Sequence, residues 1–147
     1  MDPVEKYISN VKGTVEKIAM GADAVSIGSA AMMALNCNAD LYREDYEKLG
    51  TEPGYCHHCH TGKCPVGVAT QDAKLEKRLN PKEAGRRLKN YLTTLTLELQ
   101  TLARANGKSD VRNLEPEDLV ALTIEAAAMA RVPLAGTNWI PGFKEKS

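Results

Sequence analysis

The N-terminal quarter of the chain alternates between helical and extended patterns. Apolar side chains recur every three or four positions between residues 3 and 20, which predicts a helix ended by Gly21. Residues 24–27 form a short apolar run typical of a buried strand, and residues 28–30 then turn the chain into a second helix. Residues 1–36 therefore follow one helix–strand–turn–helix repeat of an α/β architecture. Since a parallel strand needs neighbouring strands, we expect these in another chain or in a missing N-terminal part.

A long helix is predicted in the second half of the chain. Asn80 and Pro81 favour a helix start, because Asn caps the first turn and Pro fits the first helical position. An apolar stripe follows, and Gly107 is a plausible C-cap, so we predict a helix over residues 81–106. The more polar middle of the chain contains one shorter predicted helix near residues 39–49.

A further helix is predicted to begin at Pro116 and to end at Pro133. The tail is expected to pack as an extended segment through Trp139 and Ile140, while its last charged residues fray. Six apolar residues of this helix are expected to face a core: Leu119, Val120, Leu122, Ala126, Ala127 and Ala130.

The composition is that of an ordinary soluble globular domain. Hydrophobic residues make up 43% of the 147 residues, and 19 Lys and Arg balance 19 Asp and Glu. No basic stripe stands out, so a nucleic-acid partner is not expected. The apolar stretch over residues 19–35 is interrupted by Gly21, Asp23 and Gly28, so no membrane span is expected. The N-terminus lacks a signal-peptide pattern, and we expect a cytoplasmic protein.

The four cysteines carry the most chemical information. Cys56, Cys59 and Cys64 fall within nine residues, and Cys37 lies nineteen positions upstream of the first of them. Cytoplasmic thiols stay reduced, and Cys-x-x-Cys spacing lets two thiolates reach one zinc or iron centre. Free thiols, a structural zinc site and an iron–sulfur cluster all remain open, because spacing alone does not separate zinc from iron.

Other polar side chains in this stretch are expected to play lesser parts. His57, His58 and His60 could ligate a metal, but with four cysteines available they are expected in supporting or surface positions. Lys63 is either an electrostatic partner of a metal centre or a solvated side chain. No Ser/His/Asp triad, P-loop or pair of acid–base carboxylates is present, so no catalytic residue is assigned.

Two runs of sequence resemble the FMN-binding barrel of glutamate synthases. Residues 21–31, GADAVSIGSAA, followed by ALNC at 34–37, are similar to the last barrel strand and its turn. Residues 59–72, CHTGKCPVGVATQD, are similar to the stretch that follows in that family and are the more specific of the two. Further segments resemble the archaeal-type, single-domain branch, which includes the flavin subunit of N-methylglutamate synthase. They are residues 90–92, 113–119, 129–137 and 139–142.

This resemblance implies an α/β fold: the C-terminal fragment of a (β/α)8 flavin barrel, mostly helical within this chain. Residues 1–36 would be the last helix–strand–turn–helix unit of the barrel. Residues 37–72 would be an inserted Cys-rich, cluster-binding loop, and residues 73–147 a C-terminal helical extension. The chain would begin at the seventh barrel helix, so the earlier strands, with most flavin contacts and the 2-oxoglutarate site, are missing.

The resemblance also implies a flavin contact. Gly28, Ser29 and Ala30 match the last-strand turn whose backbone N–H groups bind the FMN phosphate in the family. A glycine turn leading into a helix N-terminus suits an anion. The FMN would be shared with the missing portion of the barrel.

The family's cluster cysteines are matched only in part. Cys37, Cys59 and Cys64 match the three cysteines that hold a [3Fe–4S] cluster in the family. Here residues 38–58 replace a short gap and bring a fourth cysteine, Cys56. Since four thiolates are the usual complement of [4Fe–4S], we favour that cluster, with [3Fe–4S] as the second possibility.

The implied function is that of one part of a flavin oxidoreductase. The chain would close the FMN barrel and relay electrons through the cluster for reductive formation of glutamate or N-methylglutamate from 2-oxoglutarate. It would act as an enzyme only together with the missing barrel portion. Expected partners are a chain carrying the N-terminal strands, or further copies of this chain, and an electron-donor protein. The alternatives are a non-enzymatic, zinc-stabilised module that binds a partner, and a truncated product without function.

Overall fold

The computed structural model describes residues 3–142, and the side chains from Tyr7 onward. This part of the chain is mostly helical. Its α-helices are α1 (Pro3–Ala19), α2 (Ser29–Ala34), α3 (Arg43–Lys48), α4 (Ala73–Glu76), α5 (Pro81–Ala105) and α6 (Ile124–Ala130). Short 3-10 turns lie at Asp40–Tyr42, Cys59–Thr61, Val111–Asn113 and Pro116–Asp118.

The described residues divide into two compact units. The first contains residues 3–7 and 27–94, and the second contains residues 8–26 and 95–142. The core of the first unit is built around Tyr46, Cys64 and Val66. The second unit has two small apolar clusters, whose buried members are Ala19, Ala103 and Leu114 in one, and Ala121, Ala127 and Val132 in the other.

The helices with strong local signals form where the sequence predicts them. At the start of α5 the Asn80 side chain accepts a hydrogen bond from the Glu83 N–H at 3.2 Å, as expected of an N-cap. Gly107, just beyond the end of α5, has a φ of +73°, the left-handed conformation that glycine adopts easily. Ala84, Leu95 and Ala103 are buried along the predicted stripe, whereas Leu92 is 42% exposed. The predicted helices over residues 3–20 and 39–49 are also found, the second as a 3-10 turn followed by α3.

The predicted strand at residues 24–27 is not formed. This segment lies outside helix and sheet, and its residues alternate between exposed and half-buried. Within residues 3–142 the sheet pairing amounts to one isolated parallel bridge, between Ala121 and Leu134. The physical reason is that an extended segment becomes a strand only where a neighbour completes its backbone hydrogen bonds.

The predicted helix beginning at Pro116 is wrong in its extent. The chain makes only a 3-10 turn at Pro116–Asp118, and α6 begins after Thr123, whose hydroxyl accepts the Ala126 N–H at 3.1 Å. A good cap at Thr123 and the bridge at Ala121 thus replace one long helix by two short pieces. Val120, Leu122 and Ala126 are exposed rather than core-facing, and Ala127 is fully buried.

The end of the described chain is only partly packed. The N–H of Leu134 donates to the carbonyl of Trp139 at 3.0 Å, but the Trp139 side chain is 46% exposed. The expected fraying of the last charged residues concerns residues 143–147, which lie outside the described part. No helix within that part is long and apolar enough to cross a bilayer.

Candidate metal centre

The cysteine segment is folded by tight turns rather than by long elements. Cys37 follows α2, and its N–H donates to the Met32 carbonyl at 3.1 Å. Cys59 opens the 3-10 turn Cys59–Thr61, which Gly62 ends with a φ of +73°. The Thr61 hydroxyl donates to the His58 carbonyl at 2.8 Å and closes this turn. These turns reverse the chain repeatedly and bring distant cysteines towards the same place.

All four cysteines line one pocket. Its other walls are Met32, Tyr46, His58 and Pro65. Cys64 is 8% exposed, Cys37 and Cys56 are half-buried, and Cys59 is exposed. The structure therefore brings together the four residues that the sequence nominated as ligands, although their role as ligands stays a prediction.

The space between these side chains is small. The pocket has a volume of about 30 Å³, room for roughly one or two water-sized groups. A four-iron cluster would therefore need the cysteine side chains to turn outward. Among the side chains described, no group of three His, Cys, Asp or Glu is arranged so that it could hold a metal ion. The donor set itself fits, because four thiolates suit zinc or an iron–sulfur cluster.

Tyr46 forms the floor of the pocket. Its side chain is 1% exposed, and its hydroxyl donates to the Cys37 carbonyl at 2.5 Å. Burial raises the pKa of Tyr46, and the negative charges of Cys37, Cys64 and Cys56 raise it further. The phenol therefore stays protonated at neutral pH, able to hold the backbone at Cys37 through its hydrogen bond.

Arg78 holds the backbone beside Cys64, at the far end of the cysteine segment from Cys37. Its Nη1 donates to the Pro65 carbonyl and to the Asp45 carboxylate, both at 2.7 Å. Its Cζ lies 4.6 Å from the centroid of the Tyr42 ring, within the range of a cation–π contact. One side chain thus joins the backbone next to Cys64 to the helix that carries Tyr46.

Gly67 allows the backbone of the cysteine segment to approach α4 closely. Its φ is +78°, and a Cβ at this position would lie 2.3 Å from the Leu75 carbonyl oxygen. No side chain can be accommodated there without moving α4. Gly67 lies three residues after Cys64, and its N–H donates to the Cys64 carbonyl at 3.2 Å.

The remaining polar residues of the segment lie partly at the pocket and partly on the surface. His58 contacts the Leu49 carbonyl through Nε2 at 3.1 Å and lines the pocket. His57, His60 and Lys63 are exposed and do not line it.

The predicted flavin turn begins α2. Gly28 is its N-cap residue, without a side-chain cap hydrogen bond, and both Gly28 and Ser29 are exposed, while Ala30 is buried. The first N–H groups of a helix have no partner within the helix. Gly28 and Ser29 are open to solvent at this helix start, and the anion contact itself stays a prediction.

A mostly helical chain with four thiols around one pocket is a candidate protein for binding zinc or an iron–sulfur cluster. Comparison with known proteins identifies its family. Residues 8–109 match the family described as the conserved region in glutamate synthase. The chain is 60% identical over 125 residues to a glutamate synthase large subunit-like protein of Rhizobium meliloti, covering 85% of this chain and 28% of that protein. It is 35% identical over 133 residues to an archaeal-type glutamate synthase [NADPH] of Dehalococcoides mccartyi, covering 88% and 23% respectively.

The chain belongs to the glutamate synthase family. A third relative, an archaeal glutamate synthase [NADPH] of Methanocaldococcus jannaschii, is 39% identical over 97 residues, covering 66% of this chain and 16% of that protein. The chain spans about a quarter of the length of the first two relatives. No solved structure shows a significant match.

Three residues of the site were missed by sequence reasoning: Tyr46, Arg78 and Gly67. Gly67 stands inside the specific run CHTGKCPVGVATQD, where a glycine three residues beyond a cysteine signals a tight turn. Tyr46 and Arg78 carry no local signal, because their partners lie 9 to 33 residues away in the sequence.

Proposed function

We propose that this chain is the C-terminal part of the flavin-binding region of a glutamate-synthase-like oxidoreductase, and that its four cysteines hold an iron–sulfur cluster. The observation that carries the proposal is the convergence of Cys37, Cys56, Cys59 and Cys64 on one pocket, in a member of the glutamate synthase family. The cysteine pocket alone does not identify an iron–sulfur cluster, because thiols also bind zinc. Family membership alone does not identify the ligands.

The donor set favours [4Fe–4S]. Four thiolates match the usual complement of that cluster, and [3Fe–4S] would leave one of them, such as Cys56, without iron. A bound cluster supplies one-electron transfer. The chain's own contribution is to hold the sulfurs: Tyr46 and Arg78 anchor the backbone at Cys37 and Pro65, and Met32 and Pro65 add apolar walls that limit water.

The turn at Gly28, Ser29 and Ala30 is proposed to contact the phosphate of an FMN shared with the rest of the barrel. Exposure of Gly28 and Ser29 leaves the helix start accessible to an anion. Residues 24–27 lie outside helix and sheet, and on this proposal their backbone would pair once neighbouring strands are supplied. On this proposal residues 1–36 close the barrel, residues 37–72 carry the cluster and residues 73–147 form a helical extension.

The proposed reaction is that of the family as a whole. An FMN held by the turn at Gly28, Ser29 and Ala30 together with the rest of the barrel would supply the electrons for reductive formation of glutamate or N-methylglutamate from 2-oxoglutarate. The chain would take part together with the missing barrel portion, provided by another chain or another copy, and would receive electrons from a donor protein in the cytoplasm. None of its own residues is proposed to be catalytic.

Native mass spectrometry of anaerobically purified protein tests the proposal, combined with iron and acid-labile sulfide analysis. We expect about four iron and four sulfide per chain, and a brown protein. Cys64→Ser should abolish iron binding, whereas the matched control His57→Ala, at an exposed position outside the pocket, should retain it. A colourless wild-type protein without iron would refute the cluster.

Cys56→Ser distinguishes the two clusters. Loss of all iron supports [4Fe–4S] with Cys56 as a ligand, whereas a stable three-iron protein supports [3Fe–4S] on Cys37, Cys59 and Cys64. Co-purification of a chain that supplies the other strands, with bound FMN, would support the barrel; an aggregating chain with no partner would favour a truncated product.

A structural zinc site is the second candidate, and the small volume of the pocket favours it. About 30 Å³ between the cysteines suits one ion better than a cluster of several atoms. Such a site can contribute roughly 10–16 kcal/mol to folding at neutral pH. One equivalent of zinc and no iron after anaerobic purification would support a non-enzymatic, partner-binding module.

A further inference from the structure

Arg78 makes an unusual set of contacts for a residue outside the cysteine motif. Its guanidinium bonds the Pro65 carbonyl, 13 residues before it, and the Asp45 carboxylate, 33 residues before it. It also stacks on the ring of Tyr42. The side chain of Arg78 is 28% exposed and that of Asp45 is 33% exposed, so this ion pair is only partly withdrawn from solvent.

These contacts continue through α3 to the other end of the cysteine segment. Asp45 and Tyr46 are adjacent residues of this six-residue helix. While Asp45 accepts from Arg78, the Tyr46 hydroxyl donates to the Cys37 carbonyl at 2.5 Å. A short helix thus connects the backbone at Cys37 to Arg78, and through Arg78 to Pro65 and Cys64.

We propose that Arg78 is a positioning residue for the metal centre, which fixes the Cys64–Pro65 backbone against α3 and so sets the place of the Cys64 sulfur relative to Cys37. The proposal rests on the proposed function only in taking the cysteines as ligands. Arginine suits the task because its planar guanidinium bonds and stacks at the same time, which lysine does less well. Since Pro65 has no N–H, its carbonyl is the backbone group through which that residue can be tied.

Cysteine labelling of the reduced, metal-free chain tests the positioning role directly. Trypsin cleaves after Lys63, so peptide mass spectrometry separates Cys64 from Cys56 and Cys59. Because Cys64 is buried and Cys59 is exposed, the alkylation rate of Cys64 relative to that of Cys59 reports local opening. We expect Arg78→Met to raise this ratio about tenfold, as expected when charge-assisted hydrogen bonds are lost.

Lys48→Met is the matched control. Lys48 also pairs with Asp45, at 3.0 Å, but its side chain is 70% exposed. It should change the labelling ratio less than about twofold, as expected for a surface pair. An equal rise in both variants, or no rise in Arg78→Met, would overturn the proposal.

Arg78→Lys keeps the proposal testable if Arg78→Met fails to fold, which circular dichroism would show. The lysine variant retains the charge and should give a labelling ratio between those of wild type and the methionine variant. A folded lysine variant with the wild-type ratio would show that the guanidinium is dispensable, and the proposal would then fall.

Measurements on iron-loaded protein distinguish positioning of the metal ligands from a general contribution of Arg78 to stability. We expect Arg78→Met to lose iron to a chelator about tenfold faster than wild type and to change the electron paramagnetic resonance spectrum, while Lys48→Met changes neither. If the wild-type chain binds no iron, the proposed function fails, but the labelling of Cys64 still decides whether Arg78 positions that residue.

Discussion

Replacement of Gly67 by alanine should destabilise the protein far more than the added methyl group suggests. The φ of +78° is unfavourable for alanine by about 1–2 kcal/mol. The new Cβ would lie 2.3 Å from the Leu75 carbonyl oxygen and 3.2 Å from the backbone nitrogen of Leu79, so α4 must shift. Relieving such overpacking costs about 1–3 kcal/mol. We expect a total loss of about 2–5 kcal/mol in the free energy of unfolding.

Gly62→Ala separates the clash from the backbone strain. Gly62 has a similar φ of +73°, but nothing lies within 4 Å of its would-be Cβ. Only the conformational cost of about 1–2 kcal/mol should therefore appear. The two variants differ in how close the new methyl group comes to the Leu75 carbonyl. That carbonyl also accepts a hydrogen bond from the backbone N–H of Arg78 at 3.0 Å, so its displacement in Gly67→Ala should also move Arg78.

Urea denaturation of the reduced, metal-free proteins, followed by circular dichroism, measures both variants. With a slope of about 2 kcal/mol per molar urea, Gly67→Ala should lower the midpoint by roughly 1–2.5 M. The labelling rate of Cys64 should rise in parallel. Equal free energies of unfolding for the Gly67 and Gly62 variants would refute the close approach to α4.

Three further predictions concern other parts of the chain. Tyr46→Phe should lower the free energy of unfolding by about 1–3 kcal/mol and speed alkylation of Cys37, because the partly buried carbonyl at Cys37 loses its donor; an unchanged labelling rate would contradict this. Thr123→Ala should cost about 1 kcal/mol in urea denaturation, because α6 loses its N-cap, and a loss below a few tenths would contradict it. The Arg112 side chain lowers the pKa of Asp110 from 3.8 to about 2, so Asp110 contributes stability above pH 3.8 that is lost as the pH falls towards 2. The difference in urea midpoint between wild type and Asp110→Asn should therefore shrink over that range, and a difference independent of pH would refute the assignment.

The parts of the fold that depend on neighbouring residues could be predicted from sequence. The long helix α5 has its cap at Asn80, its apolar stripe and its terminating Gly107 within one contiguous stretch, and it forms as predicted. The segment at residues 24–27 has the composition of a strand but lacks a neighbouring strand in the described chain. After Pro116 the spacing of apolar residues predicts one continuous helix. In the structure the side-chain cap at Thr123 instead starts a separate helix, α6, at Ile124.

In the candidate site, too, the sequence predicts some features and not others. Cys-x-x-Cys spacing and the similarity of residues 59–72 to glutamate synthases nominated the four cysteines, and the structure brings them to one pocket. The contacts that hold this arrangement, from Tyr46 to Cys37 and from Arg78 to Pro65, join residues far apart in the sequence. No periodicity or local motif in the sequence predicts such pairs, so only the folded structure shows them.

The unequal burial of the thiols determines how the protein will respond to air. Oxidation of cysteine follows exposure and thiolate character, and Cys59 stands in solvent while Cys64 is 8% exposed. Damage should therefore start at Cys59, with covalent dimers joined through this residue as its first visible product on a non-reducing gel.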